Sequence, residues 1–419
     1  MKLLVFGAGN IGRSLVGQLF ARAGWQVTFV EVSDALVDAL NRARRYRIEV
    51  RDRVCETVWV EGVSAIHGSC REEVARAVAE ADLIATAVGL SALPSIYPAL
   101  AIGLQARRES GRGPVDIIIC ENLRNAAQAV AHGLREYLPA DVDIASLVGL
   151  VETSIGKMVP ITPRAAREQD PLVLHAEAYN TLILDAQGFR NPIPDVPGLD
   201  PKQNMAAHVD RKAFIHNLGH ATCAYLGHLT NPSWVYVWQT VEDEVVRRAV
   251  KAAMWESGRA LLRRYPEEFT EADQEAHIED LLRRFGNQAL GDTIYRVGRD
   301  LPRKLSREDR LVGALLMDVA EGVPAPVTAL ATAAALFFRA EDEHGELFPA
   351  DAEFRQNLEQ AGVEAILRFV CGLSTRRADD ARVAAAIRRA DRYLQARPAD
   401  WLAHFLARPE AVIGDFARG

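Results

Sequence analysis

The sequence predicts an α/β first half joined to an all-α second half, and three observations carry that reading. Short apolar runs of strand length alternate with helical periodicity through the first part of the chain. A stretch rich in proline and glycine, Gln187–Pro201, then interrupts the pattern with Pro192, Pro194, Pro197 and Pro201. Beyond it strand signals almost vanish and helix follows helix. At 419 residues the chain is too long for one compact unit. The expected division is residues 1–190 as the α/β domain and 191–419 as the helical one.

Lys2–Phe6 is the first apolar run, and it ends at Gly7. A helical pattern follows from Asn10 to about Ala23. Gln26–Glu31 reads as a second strand, with Ser33 or Asp34 placed to cap a helix over Ala35–Arg44. Leu83–Val88 and Asp116–Cys120 are further apolar runs, with a helix-like segment, Ser91–Arg107, between them. Such alternation indicates βαβ units and a parallel, doubly wound sheet. Ser146–Thr153, Leu172–Ala178 and Thr181–Asp185 also read as strands. The last two are separated only by Tyr179 and Asn180, so they are expected to pair as an antiparallel edge. In the second half, helices begin near Ala206 and break at Asn231–Pro232, Tyr265–Pro266, Gly298–Pro302 and Gly322–Pro326. The Ala/Arg-rich tail, Arg376–Arg408, keeps helical periodicity and is expected to fold.

Composition removes several classes. With 49% hydrophobic and 25% charged residues the chain is globular rather than disordered. The net charge of −7 has the wrong sign for a bulk nucleic-acid binder. Cys55, Cys70, Cys120, Cys223 and Cys371 are scattered and form no CxxC pair, so neither a disulfide framework nor a zinc site is indicated. The longest uncharged stretch, Gly322–Phe338, holds two prolines and is shorter than a membrane span. The first strand leaves no room for a signal peptide before the glycine turn. A cytoplasmic protein, monomeric or a small homo-oligomer, with no membrane or nucleic-acid partner, is expected.

Gly7-Ala8-Gly9-Asn10-Ile11-Gly12 fits GxGxxG between a strand and a helix, the context in which this pattern binds a dinucleotide on a Rossmann-type sheet. Gly7 permits the tight turn, Gly9 lets backbone approach a pyrophosphate, and Gly12 lets helix and strand pack closely. Glu31 closes the second strand, where a carboxylate accepts from both ribose hydroxyls and repels a 2′-phosphate. NAD is therefore expected in preference to NADP. Arg44 and Arg45 are the cations that would argue for NADP, and a solvated helix end is the competing reading of that pair.

Val209–Leu229 reads VDRKAFIHNLGHATCAYLGHL. At about 100° per residue, Lys212, His216 and His220 lie at roughly 0°, 40° and 80°, with Asn217 near 140°. Phe214, Leu218, Ala221 and Tyr225 make the opposite side apolar. The polar face admits three readings: a solvated surface, a metal site at His216 and His220, or a redox site with lysine as base. No glutamate stands between the histidines in the zincin manner. Hydride loss from a carbinol requires that the hydroxyl proton also be taken, which a neutral lysine can do without a metal.

Lys212-x4-Asn217-x2-His220 resembles the catalytic signature of the polyol-specific long-chain dehydrogenases, the mannitol dehydrogenase family. The match continues through Phe6–Arg13, Thr86–Gly89, Cys120–Asn122, Gly219–Gly227, Arg296–Arg299 and Arg303–Leu311, in the same order, and is nearest to members acting on sugar phosphates. The resemblance implies a Rossmann domain, a helical domain, NAD and no metal. It implies Lys212 as general base, Asn217 and Asn122 as amides steadying the substrate oxygen, and His220 as the imidazole fixing the reacting hydroxyl. It places Asn10, Ile11, Val88 and Gly89 with Gly7, Gly9, Gly12 and Glu31 at the cofactor. Arg296 and Lys304 match substrate-binding cations, within a stretch that also holds Arg299, Arg303, Arg307 and Arg310. A solvated basic loop balanced by Asp300, Glu308 and Asp309 is the alternative for that stretch. The family usually shows Val-Asp-Arg after the strand Leu147–Glu152. Here Gly156 stands in place of the aspartate and Lys157 in place of the arginine, and Leu182 occupies a position where the sugar-phosphate members have a tryptophan. A polyol phosphate is the expected substrate. An unphosphorylated polyol, a hexuronate, or a dinucleotide-binding sensor without catalysis remain as alternatives.

Overall fold

A computed structural model describes residues 1–52, 54–160 and 162–414. The chain divides into two compact units, Met1–Val209 and a second that begins at Asp210.

The first unit carries eleven strands among the described residues: β1 Lys2–Phe6, β2 Gln26–Glu31, β3 Arg45–Val50, β4 Glu56–Glu61, β5 Val63–His67, β6 Leu83–Thr86, β7 Val115–Ile119, β8 Val148–Ser154, β9 Leu174–Ala176, β10 Leu182–Asp185 and β11 Leu199–Lys202. Eight form one sheet in the order β11-β10-β8-β7-β6-β1-β2-β5. From β5 to β8 every neighbouring pair is parallel. Such strands need crossovers, and the helices that supply them cover both faces. β1 shows the result: Leu3 and Val5 belong to one apolar cluster, Leu4 and Phe6 to the other. The strand order reverses between β1 and β6, and that is where such a sheet opens a crevice at its carboxyl ends.

The expected antiparallel edge between Leu172–Ala178 and Thr181–Asp185 does not form. β9 pairs parallel with β3 in a separate sheet of order β4-β3-β9, whereas β10 pairs antiparallel with β8. A two-residue hairpin needs positive φ in its turn, and neither Tyr179 nor Asn180 has it. The small sheet escapes an apolar-run criterion because β3 and β4, RYRIEV and ETVWVE, interleave charged with apolar residues. The proline-rich stretch stays with the first unit. Its end becomes β11, which pairs parallel with β10, so the units divide after Val209 rather than near residue 190.

The second unit is helical. Its central helix, Leu218–Thr230, is buried from Leu218 to Gly227 apart from His220. Glu244–Arg264, Ile294–Gly298 and Pro326–Ala335 pack around it. A side chain at Gly219 would collide with Met254 on Glu244–Arg264, and one at Gly227 with Thr240 on Val237–Glu242, so the two glycines set how closely those two helices approach. Pro326–Ala335 is buried throughout, which accounts for the uncharged stretch as core. Its first amides, Val327 and Thr328, donate to the buried Glu256 carboxylate at 2.9 and 2.8 Å. The Ala/Arg-rich tail folds as Ala378–Gln395, Trp401–Ala407 and Pro409–Ile413. Among the described residues no helix is long and apolar enough to cross a membrane.

Candidate active site

In the first unit the glycine turn lies between β1 and a helical segment whose first turns, Gly12–Gly17, are π-helical. Gly7 has φ +95°, and a Cβ there would strike the Ala87 carbonyl after β6. A Cβ on Gly12 would strike the carbonyl of Gly7. Gly9 differs, because its missing Cβ faces open space with nothing within 4 Å. Two glycines therefore serve the fold, and the third leaves room for a ligand beside exposed Asn10.

Charged side chains brace this turn. Glu31 Oε2 accepts from the Ala8 amide at 3.0 Å, and Oε1 accepts from Val32 and Ser33 at 2.8 and 3.2 Å. A carboxylate has about four acceptor positions, so capacity remains for a ribose hydroxyl. Arg13 is buried and donates to the carbonyls of Ala8 and Leu172 at 2.6 and 2.8 Å. Glu121, after β7, takes the amides of Val88 and Gly89, both at 2.9 Å. Burial pushes its carboxyl above the usual range, and the two amide bonds oppose that rise. Glu121 thus fixes the loop after β6 facing the switch point, with Gly89 at φ +86°. Exposed Asn122 follows it at the carboxyl end of the strand. These features suit a dinucleotide: open space at Gly9, fixed amides around it, and an acceptor at the end of β2.

Of the two cations that argued for NADP, Arg44 is the left-handed C-cap of the helix Asp34–Ala43. Arg45 opens β3, 3.7 Å from Glu61 and stacked 4.6 Å over the Trp59 ring. Lys157, in the place of the family's arginine, is buried and donates to Asn180 Oδ1 at 3.1 Å. Leu182 is wholly buried in β10.

In the second unit Lys212–Asn217 forms a π-turn, and the Leu218 amide reaches back five residues to Ala213. The wider turn brings residue i+5 round to where i+4 lies in an α-helix. Asn217 is thereby carried toward the face of Lys212, not the roughly 140° away that an unbroken α-helix would give. His216 is buried and its ring centroid lies 6.3 Å from that of His220. His220 stacks on Phe285 at 4.8 Å with the ring planes 3° apart.

Electrostatics ties these residues to the 292–310 segment. Burial first, then Arg310 and Arg303, lower the Lys212 ammonium, Asp309 opposes them, and together they bring it to a pKa of about 8. Arg310 also depresses His220 and Lys304, so one guanidinium acts on three of the sequence-predicted residues. His216 is held well below the ordinary imidazole range, first by burial and then by Arg284. Lys304 is buried, lowered mainly by desolvation, and donates to the Arg299 carbonyl. Arg296 grips Asp292 with two bonds of 2.6 Å each. Arg303 pairs with Asp300 and with Asp309 at 2.5 and 3.3 Å, and Arg310 pairs with Asp309 at 2.7 Å. Asp300 and Asp309 balance Arg303 and Arg310 as the alternative for this stretch expected, Arg307 pairs with Asp380, and Lys304 and Arg310 are buried within it.

Lys212, His220, Arg296 and Lys304 belong to this one electrostatic group, with Asn217 on the same π-turn. Asn122 and the cofactor residues belong to the first unit. Four contributors, Arg13, Glu121, Phe285 and Asp292, lie outside the sequence expectations. Asp292 did leave a signal, since it stands four residues before Arg296, the spacing of a helical ion pair. Among the described residues no group of three or more His, Cys, Asp or Glu side chains is placed to hold a metal ion.

The chain matches two family models, described as the mannitol dehydrogenase Rossmann domain over residues 1–198 and the mannitol dehydrogenase C-terminal domain over residues 204–391. Among solved structures it is similar to Pseudomonas fluorescens mannitol 2-dehydrogenase in a ternary complex with NAD and D-mannitol. The TM-score is 0.77 at 18% identity, covering 98% of this chain and 95% of that one. A D-sorbitol dehydrogenase in substrate-free form gives 0.71 at 14% identity, covering 99% and 94%.

Proposed function

Because the chain belongs to the mannitol dehydrogenase family, we propose that it is an NAD-dependent oxidoreductase acting on a polyol phosphate, mannitol 1-phosphate and fructose 6-phosphate being the pair that fits best, as in mannitol-1-phosphate 5-dehydrogenase. The observation that carries this reading is the lowered Lys212. A lysine with a pKa of about 8 is neutral in roughly a tenth of molecules at pH 7, against fewer than one in a thousand for an ordinary lysine. NAD, when bound, accepts the hydride. Lys212 takes the hydroxyl proton, so that no metal ion is required. The Asn217 amide donates to the oxygen as negative charge develops there, and Asn122 keeps the amide role expected of it. Glu31 favours NAD by repelling a 2′-phosphate. In the reverse direction protonated Lys212 returns the proton to the new hydroxyl.

The phosphate rests on the cations around Arg310, whose charge reaches Lys212, His220 and Lys304 together. A second reading, an unphosphorylated polyol, is favoured by the aspartates that already engage Arg296, Arg303 and Arg310. Initial rates separate them. With NADH, kcat/KM for fructose 6-phosphate is expected to exceed that for fructose, tagaturonate and fructuronate by orders of magnitude. Each charged hydrogen bond to the phosphate would contribute about 1.5–3 kcal/mol. Preference for fructose or a hexuronate overturns the phosphate and leaves the Lys212 chemistry standing. Turnover of none of them overturns both. NADPH should serve less well than NADH.

A further inference from the structure

We propose that Asp292 is the positioning residue of the helical unit's site, holding the His220 imidazole with its proton on Nε2 so that Nδ1 is left to accept a hydrogen bond from a substrate hydroxyl. The inference rests on the polyol dehydrogenase reading and assigns a role to a residue that reading does not use.

The Asp292 carboxylate is almost fully buried and lies where three constraints meet. Arg296 donates to it twice, through Nε to Oδ1 and Nη2 to Oδ2. His220 Nε2 stands 3.1 Å from Oδ2. That approach is not an aligned hydrogen bond in this structure. Contacts of this kind commonly tighten when substrate closes a site. The main chain of Asp292 is fixed as well. Its carbonyl accepts from the Val237 amide at 2.9 Å, and the Ile294 amide donates to Val235 at 2.8 Å. Thr293 bridges to Tyr236. The carboxylate therefore has little freedom to follow a moving partner.

The same constraints define the imidazole. Its plane is set by the stack on Phe285. Burial disfavours its protonation more than Asp292 promotes it, and a neutral imidazole carries one N–H and one lone pair. A fixed anion beside Nε2 attracts the N–H to that side. Burial raises the carboxyl of Asp292, but His220 and Arg296 outweigh it and hold it at about 2, so its charge persists wherever the enzyme works. Arg296, engaged on both arms, is held in one orientation by the same group.

The test begins with the wild-type protein carrying 15N-labelled histidine, with the His220 signals identified by their loss in His220→Asn. The proposal expects the Nε2–H tautomer, and an Nδ1–H tautomer overturns it without any variant of Asp292. Asp292→Asn should then disturb that tautomer pattern while NADH binding persists. It should also lower kcat/KM for the best substrate, by up to about 10²-fold, as a misplacement of about 1 Å at a reacting group can. In the His220→Asn background the same substitution should cost less than about threefold, since the two changes then act on one interaction. Losses that multiply, or an unchanged His220 spectrum in Asp292→Asn, overturn the proposal. Should His220→Asn itself cost nothing in turnover, the enzymatic reading of His220 fails, and the tautomer still decides whether Asp292 positions it.

Discussion

At the nucleotide turn, Gly7 and Gly12 are dictated by main-chain atoms: a Cβ at either would enter a neighbouring carbonyl. In the lysine cluster no position is dictated that way. Lys212 gains its chemistry from burial and from Arg310 and Arg303, which arrive from 98 and 91 residues further along the chain. The first site is a constraint on backbone shape, which only glycine meets, so the sequence shows it at the position itself even where, as at Gly7, the obstacle is Ala87. The second is a constraint on charge, assembled by packing several helices, and local text records only one side of it.

The largest expected effect falls on the second site. Lys212→Ala should lose about 10²- to 10⁴-fold in kcat, the range for removal of a general base, while NADH affinity changes little. Near-normal turnover would dissolve the contrast, leaving a lysine that is merely buried. The glycines then divide the first site internally. Gly12→Ala forces the π-turn away from the Gly7 carbonyl and should destabilise the protein by about 1–3 kcal/mol or more, read as a drop in thermal midpoint. Gly9→Ala has the smallest effect on the fold, since its Cβ meets nothing. Its thermal midpoint should match the wild type, and its affinity for NADH should fall. If Gly9→Ala destabilises as much as Gly12→Ala, or binds NADH normally, the open space at Gly9 has no part in binding.

The legibility of each site follows the same division. The strand, glycine turn, helix, strand and acid from Lys2 to Glu31 could be read in order, because the residue types themselves, glycine at the turn and an acid closing β2, show in the text even where the partner is as distant as Ala87. Ser33 as the helix cap was legible for the same reason, and its side chain accepts from Leu36. The destination of Leu174–Ala176 was not, because alternation says that a segment is a strand and says nothing of which sheet receives it. Asn217 was legible as a residue of the motif but misplaced by angle, since uniform α-helical arithmetic does not anticipate a π-turn. Arg296 was legible as a cation. Its occupation by Asp292, and the reach of Arg310 to Lys212, depend on the packing of Ile294–Gly298 against Leu218–Thr230 and on the turns that follow it.

The central claim is that Lys212 works as a neutral amine because the fold lowers its affinity for a proton. Its most direct test is the pH dependence of kcat/KM for polyol phosphate oxidation in the wild-type enzyme at saturating NAD. A raised proportion of neutral lysine must speed oxidation, so the rate should climb through a single ionisation near 8 and level off above it. In Lys212→Ala the residual rate should lack that step. A wild-type profile that is flat through pH 8, or one whose step survives in Lys212→Ala, would contradict the assignment of the base.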